Sequence, residues 1–205
     1  RDRLGAERRR CRQRRMGAED DQAGPGARAR RPADGAAYLA LGGGVLSLYT
    51  NRRDMESVYE SMNRNLSHND LKVLLQREGA SNMALAKEFI ENKDVSLMAL
   101  RSFWEGFDAK GDTLKCVFIP KLPFAMPGTP LALERNLREG AKAWNRYDLP
   151  EAIIDLRQAI GRLIRSSQDS GFVVLGDSRL INKAYGKRVL KSLPVDAEIL
   201  TSAEI

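Results

Sequence analysis

The residues with the clearest chemical potential lie on a predicted helix near the carboxyl end of the chain. Gln158, Arg162 and Arg165 are spaced i, i+4 and i+7, which places their side chains on one helical face. Gly161, in the middle of this helix, costs about 1 kcal/mol relative to alanine, so we expect another group to approach closely there. Arginine is permanently charged and binds pairs of oxygen atoms, which suits a phosphate chain. A solvated basic face would show the same spacing, and these residues alone do not decide between the two.

A polar loop after another predicted strand is the second candidate. It combines an aromatic side chain, two carboxylates, a hydroxyl and a glycine, contributed by Ser102, Trp104, Glu105, Gly106 and Asp108. Trp104 is either a core residue, which is the default for an aromatic side chain, or a platform on which a base stacks. Its place in a loop beyond a strand end weakens that default.

Several familiar catalytic patterns are absent from the sequence. No segment matches the phosphate-binding loop G-x-x-x-x-G-K-S/T, because Gly186-Lys187 has Ile181 where the first glycine should stand. The acidic box that binds Mg²⁺ is also missing, since His68 follows Asn65-Leu66-Ser67. A single histidine and two distant cysteines exclude a zinc finger and a disulfide framework. We therefore predict no metal site in this chain.

Strands and helices alternate along the part of the chain that must position these residues. Apolar, β-prone runs predict strands at 45–50, 71–76, 95–100, 114–119 and 171–176. Helical periodicity predicts helices over 52–63, 82–92, 131–144 and 150–166, with a further helix inside 179–193. Wholly apolar strands between helices are typical of an α/β fold, with a parallel sheet covered by helices on both faces.

Ligands of such sheets bind beyond the carboxyl ends of the strands. The sequence places Thr50-Asn51 and segments 101–108, 120–124 and 177–179 there. A small-molecule enzyme of the flavodoxin or Rossmann type would need a glycine-rich turn from strand to helix. The triplet Gly42-Gly43-Gly44 precedes a strand instead and predicts a turn or linker.

Charge divides the chain into two regions. The net charge is +7, and residues 1–37 hold 11 arginines, no lysine and only six acidic residues. Because this region has almost no large apolar side chains, we expect a disordered Arg-rich segment at 1–37 and a domain at 38–205. A nucleic-acid-binding arm, or a segment not native to the domain, are the alternatives. No apolar run spans a bilayer or resembles a signal peptide, so we expect a cytoplasmic protein that does not bind membranes.

Four segments, in order, resemble the second motor domain of superfamily 2 DNA helicases of the DinG/XPD type. Leu46–Asn51 resembles motif IV, and Ser102–Asp108 (SFWEGFD) resembles the family's S-F-W-E-G-x-D motif V. Ile119–Phe124 is similar to its K-L-P-F segment, and Gln158–Arg165 is similar to motif VI, Q-x-x-G-R-x-I-R. The resemblance covers about residues 38–195 and implies a RecA-like lobe.

This resemblance implies a role for each candidate residue. Arg162 and Arg165 would be arginine fingers that reach the γ-phosphate of ATP. The nucleotide site would also include Gln158, Glu105, Gly106, Asp108 and Gly161. Single-stranded DNA would contact Thr50, Asn51, Ser102, Trp104 and Lys121. Asn51 departs from the serine that many relatives carry, which leaves its DNA contact open.

The resemblance also implies what this chain lacks. A first lobe, normally in the same polypeptide, would bring the phosphate loop and the ligands of Mg²⁺, so we expect the isolated chain not to hydrolyse ATP. Some relatives hold an iron–sulfur cluster in that first lobe, and we expect none in this chain. The family suggests a role in DNA repair. The alternative is a stand-alone nucleic-acid-binding module that has lost motor activity.

Overall fold

The structure is a computed structural model that describes residues 12–14, 33–67, 69–103, 113–163 and 170–198. The strands are β1 Arg12–Arg14, β2 Val45–Tyr49, β3 Lys72–Leu75, β4 Val95–Leu100, β5 Cys116–Ile119 and β6 Phe172–Leu175. The helices are α1 Ala33–Leu41, α2 Arg52–Ser67, α3 Asn82–Glu91, α4 Pro130–Glu139, α5 Leu149–Leu163, α6 Arg179–Asn182 and α7 Gly186–Lys191. A 3₁₀ turn at Arg101–Phe103 follows β4, and a π-helical turn at Trp144–Asp148 runs into α5.

The strands form one sheet in the order β1-β6-β5-β2-β4-β3, and every neighbouring pair is parallel. At its centre, Ser47 of β2 is paired with Met98 of β4 on one side and with Phe118 of β5 on the other. The predicted parallel α/β sheet is therefore confirmed. Each of the five apolar runs identified in the sequence contains one of its strands.

Successive side chains along strands β2 to β6 enter two different hydrophobic cores. Leu46, Leu97, Val117 and Val173 lie in the core on the face that α3, α5 and α7 cover. Val45, Met98, Cys116, Phe118 and Val174 lie in the core under α1 and α2, which contains the buried side chains of Tyr38, Met55, Met62 and Leu66. This alternation follows from the two-residue period of a strand. It confirms that helices cover both faces of the sheet.

Helix α1 was not foreseen in the sequence and begins inside the segment predicted to be disordered. Tyr38, only 1% exposed, forms a 2.5 Å hydrogen bond between its hydroxyl and the hydroxyl of Ser47 on the central strand. This bond satisfies a buried polar side chain beside the apolar core. Within 1–37, the structure describes only Arg12–Arg14, which pairs with β6, and the first residues of α1. Within the segment predicted to be disordered, these two pieces have regular secondary structure, and the rest of the segment lies outside the described residues.

The glycine triplet forms the turn that connects α1 to β2. Gly43 and Gly44 have φ angles of +116° and +72°, which side-chain-bearing residues rarely adopt. A Cβ on Gly43 would meet the carbonyl carbon of Asp94 at 2.5 Å, and one on Gly44 would meet the carbonyl oxygen of Thr113 at 2.5 Å. The triplet is thus a close-packed turn at the amino edge of the sheet, as its position before a strand predicts.

Helix boundaries agree with the sequence at some ends and differ at others. Ser81 caps α3 as predicted, because its hydroxyl accepts a hydrogen bond from the Ala84 amide at 3.3 Å. Helix α4 ends at Glu139, five residues before the predicted end, since Gly140 follows with a positive φ of 55°. Among the described residues, no helix is long and apolar enough to cross a bilayer.

Candidate functional site

The carboxyl edge of the sheet brings several predicted residues together. Strands β2, β4 and β5 are adjacent and parallel, so the residues that follow them leave the sheet at the same edge. Thr50 and Asn51 follow β2, Ser102 lies in the 3₁₀ turn after β4, and Lys121 follows β5. Thr50 is exposed, and the side chain of Ser102 lies outside what the structure describes. Three of the predicted segments therefore share one edge, as the parallel topology requires.

Lys121 and Asn51 at this edge both contact Asp54, a residue that the sequence did not single out. The amide of Asp54 donates to Oδ1 of Asn51 at 2.8 Å, so Asn51 occupies the capping position of α2. The Asp54 carboxylate forms an ion pair with the ammonium group of Lys121. Burial raises the pKa of Asp54, but hydrogen bonds with Lys121 and Asn51 outweigh it and lower the pKa below its usual value. The charge of Lys121 is thus engaged within the chain.

Asp177, in the loop after β6, fixes the segment that follows β5. Its side chain is buried, and Oδ2 accepts a hydrogen bond from the Leu122 amide at 2.7 Å. The Arg179 guanidinium binds the same carboxylate, with Nη2 2.6 Å from Oδ2. Burial raises the pKa of Asp177, but the hydrogen bonds with Arg179 and Leu122 lower it by more. The net pKa therefore lies below its usual value. Asp177 therefore stays ionised and holds two post-strand loops together.

Three aromatic rings link the segment after β5 to the turn that precedes α5. Phe124 lies 5.9 Å from Trp144 and 5.7 Å from Tyr185, measured between ring centroids, and Trp144 lies 4.8 Å from Tyr185. The Arg179 guanidinium stands over the Phe124 ring at 5.2 Å, within the range of a cation–π contact. Because Trp144 belongs to the turn that leads into α5, the cluster fixes this helix against the segment after β5.

Gln76 supports the end of β4 from the neighbouring strand. Its side chain is buried, and Oε1 accepts a hydrogen bond from the Leu100 amide at 2.7 Å. Its Nε2 donates to Oδ1 of Asn82 at 2.8 Å, and its carbonyl accepts from Nη1 of Arg52 at 3.0 Å. Gln76 thus fixes the point where the polar loop 101–112 begins.

Helix α5 carries the nucleotide-site candidates on an uncovered flank. Leu156, Ala159, Ile160 and Leu163 are buried on its inner side. Gln158 and Gly161 are exposed on the opposite side, in line with Ile154, which is 53% exposed. A Cβ added to Gly161 would find none of the described atoms within 4 Å. The close approach predicted at this glycine therefore has no source among the described residues.

The predicted residues thus form two groups rather than one site. One group lies at the carboxyl edge of the sheet, and the other lies along α5, which runs from this edge toward the amino edge. Leu163, at the end of α5, packs against Gly171, which lies just before β6. A Cβ on Gly171 would meet Cδ1 of Leu163 at 2.6 Å. The Arg101 guanidinium reaches from the carboxyl edge to Asp155 on α5, with Nη2 2.5 Å from Oδ2.

Several predicted residues cannot be placed by their side chains. Arg162 lies on α5, but its side chain is outside what the structure describes. Trp104, Glu105, Gly106, Asp108, Arg165 and His68 all lie outside the described residues. Among the residues that are described, no group of three or more His, Cys, Asp or Glu side chains could hold a metal ion.

Sequence reasoning missed Asp54, Gln76 and Asp155. Each contacts a residue far along the chain, as Asp54 does with Lys121 and Gln76 with Leu100. The only local signal was that Asp54 and Gln76 lie within five residues after a strand end. Asp155 gave no local signal, since an acidic residue on an amphipathic helix is ordinary.

Comparison with known proteins places this geometry in a family. Residues 37–196 match the family model described as "Helicase C-terminal domain". The chain is 44% identical over 134 residues to the ATP-dependent DNA helicase YoaA of Haemophilus influenzae, covering 64% of this chain and 20% of that protein. It is 36% identical over 162 residues to the ATP-dependent DNA helicase DinG of Escherichia coli, covering 74% and 22%. The chain thus spans about a fifth of the length of these curated relatives.

The fold has counterparts among solved structures. A structure of XPD helicase superimposes with a TM-score of 0.62 at 20% sequence identity, covering 93% of this chain and 36% of that one. At this identity the likeness concerns the fold alone. It identifies the sheet and its helices as RecA-like.

Proposed function

Because the chain belongs to the helicase C-terminal domain family and is of the DinG/XPD type, we propose that it is the second motor lobe of an ATP-dependent DNA helicase. A first lobe, in the same polypeptide or encoded separately, completes the ATP-binding cleft. The isolated chain then has one wall of that cleft and does not hydrolyse ATP. DNA repair is the process in which we expect such a helicase to act.

The observation that carries the proposal is the uncovered flank of α5. Gly161 has open space beside it and Gln158 is exposed, so nothing in the described chain accounts for a glycine in mid-helix. Glycine destabilises an exposed helix interior by about 1 kcal/mol relative to alanine. A partner surface with a bound nucleotide would use this space, because only a residue without Cβ allows the backbone to approach closely.

The residue types of the segment Gln158–Arg165 fit ATP. The guanidinium groups of Arg162 and Arg165 suit a phosphate chain, since each can donate two parallel hydrogen bonds to phosphate oxygens. Gln158 would orient the nucleotide from the preceding turn of the helix. Glu105, Gly106 and Asp108 complete the proposed set from the loop after β4. Mg²⁺ would be held by the first lobe and would neutralise charge on the transferring phosphoryl group.

The carboxyl edge of the sheet fits single-stranded DNA. Thr50 is exposed there, and Lys121, whose side chain is 45% exposed, supplies positive charge. Asn51, Ser102 and Trp104 are the further contacts we propose, with Trp104 stacking on a base for about 1–3 kcal/mol. The two groups would then divide the work, with α5 acting on the nucleotide and the strand ends on DNA.

The proposal is tested by ATPase activity on this chain mixed with a DinG-type first lobe, with and without single-stranded DNA. We expect DNA-stimulated hydrolysis that falls about 10³-fold in Arg165→Ala, with DNA affinity nearly unchanged. Arg188→Ala removes the same charge from an exposed position on α7 and serves as the matched control. Turnover by the isolated chain would contradict the two-lobe cleft. DNA binding without hydrolysis in the mixture would favour a stand-alone nucleic-acid-binding module.

A further inference from the structure

Arg101 and Asp155 form an ion pair that joins the two groups of the proposed site. Nη2 of Arg101 lies 2.5 Å from Oδ2 of Asp155. The Arg101 side chain is 51% exposed, whereas that of Asp155 is 15% exposed and its Oδ2 atom is fully buried. The carboxylate is thus covered by the guanidinium group at the surface of the domain.

The Arg101 end of the pair lies where the polar loop 101–112 begins. The preceding residue, Leu100, is fixed through its amide by the side chain of Gln76. Two residues after Arg101, Phe103 is 2% exposed and belongs to the core that Ile153 and Leu156 of α5 also enter. The loop therefore starts from a point held on both sides, and Arg101 extends from that point to α5.

The Asp155 end of the pair lies on the nucleotide-site helix. Asp155 precedes Gln158 by three positions and Arg162 by seven, so the three residues share one helical face. One contact thus links the residue before the motif V segment to the helix face of motif VI. The segment also returns to the core at a fixed point, because the Thr113 hydroxyl donates to the carbonyl of Ile90 at 3.1 Å.

We propose that Arg101 and Asp155 are positioning residues that hold the start of this loop, the turn Arg101–Phe103, against α5, so that DNA bound at the carboxyl edge of the sheet changes ATP hydrolysis at the helix. Neither residue touches nucleotide or DNA. The inference rests on the proposed function, and it adds a specific connection between the two surfaces. Misplacing a reacting group by about 1 Å can lower a rate about 100-fold, so a small shift of the loop has a large effect on coupling.

The test uses three variants and a matched control. Asp155→Asn keeps the shape of the side chain and removes its charge, while Arg101→Gln alters the more exposed partner and disturbs folding least. The double variant Arg101→Glu with Asp155→Arg exchanges the charges. Glu151→Gln is the control, because Glu151 lies on the same helix and pairs with Arg135 of α4 at 2.7 Å, away from the loop.

Two measurements test the role of the ion pair and the proposed function separately. Amide hydrogen exchange on the 205-residue chain reports whether segment 100–103 loses protection, which needs no catalysis. ATPase measurements on the chain with a DinG-type first lobe report the DNA concentration for half-maximal stimulation and the maximal rate separately.

We expect both single variants to exchange faster in segment 100–103 and to lose DNA stimulation about tenfold or more, by the same positional argument. The charge-exchanged double variant should recover part of both, and Glu151→Gln should change neither. Unchanged exchange in Arg101→Gln and Asp155→Asn, or unchanged DNA stimulation in both, would overturn the inference. If the wild-type mixture shows no ATPase, the proposed function fails, and the exchange result still decides whether the pair holds the loop.

Discussion

The amide of Leu122 donates a 2.7 Å hydrogen bond to the buried carboxylate of Asp177, which lies 55 positions later in the chain. This bond connects the segment after β5 to the loop after β6. The same carboxylate binds Arg179, which in turn stands over Phe124. One ionised side chain therefore fixes two neighbouring loops at the carboxyl edge of the sheet.

Asp177→Asn should lower the free energy of unfolding by about 2–3 kcal/mol, because charge-assisted hydrogen bonds are lost while Arg179 stays in place. The native pKa of Asp177 is lowered, so its stabilising effect is complete above the unfolded pKa of about 3.9 and is lost as pH falls through the native pKa. Chemical denaturation at several pH values measures this. If the difference in unfolding free energy between variant and wild type persisted unchanged at about pH 3, this role of the Asp177 carboxylate would be contradicted.

Asp54→Asn should strengthen binding of single-stranded DNA about two- to fivefold, because it releases Lys121 from its ion pair. Lys121→Gln should weaken binding and reduce the salt dependence of log K by about 0.7, the loss of one phosphate contact. Fluorescence anisotropy with a labelled oligonucleotide at several salt concentrations measures both. The double variant should behave like Lys121→Gln; additive effects would show that Asp54 acts on DNA by another route.

Gly161→Ala should stabilise the isolated chain by about 0.5–1 kcal/mol, since alanine favours the helix and the space beside the glycine is open. The same variant should impair DNA-stimulated ATPase once the first lobe is added, because the methyl group occupies the surface where close approach is proposed. Thermal unfolding and the ATPase assay check the two halves. Loss of stability in the isolated chain would place the role of Gly161 inside the domain instead.

Tyr38→Phe should destabilise the chain by about 1–3 kcal/mol, whereas removal of residues 1–32 should cost less, because the only described strand in that segment is the three-residue edge strand β1. Tyr38 lies on α1, and its hydroxyl satisfies the buried hydroxyl of Ser47. Leaving a buried polar group without its partner has this cost. Differential scanning calorimetry compares the two forms with the full chain. A large loss of stability in the truncated form would assign a structural role to the segment before α1.

The sheet could be predicted from the sequence because its signal is local. Each strand is an unbroken apolar run, as in Val95–Leu100, and parallel strands buried on both faces have this pattern. The short helix α1 escaped because Ala33–Leu41 is rich in alanine and has few large apolar residues. Its burial depends on Tyr38 and on a serine nine positions later, a relationship that no periodicity displays.

Which candidate residues share one helix could be predicted from the sequence, but the contacts between elements could not. Spacing placed Gln158, Arg162 and Arg165 on one face of a helix, and the structure leaves Gln158 exposed on α5. The ion pairs of Asp54 with Lys121 and of Arg101 with Asp155 join residues 67 and 54 positions apart, so they depend on the packed fold. Sequence patterns describe which residues share an element, whereas these contacts arise between elements.

The position of β2 has a consequence for how the chain acquires its structure. Strand β2 appears early in the sequence, but its partners β4 and β5 begin only at Val95 and Cys116. During synthesis, about 70 further residues must therefore be added after this apolar strand before both of its edges can be paired. Contacts this distant in sequence slow folding, and an unpaired apolar edge promotes aggregation. A nascent chain that stalls before residue 119 would leave a fully buried strand of the fold exposed, so chaperone dependence should end once β5 has emerged from the ribosome.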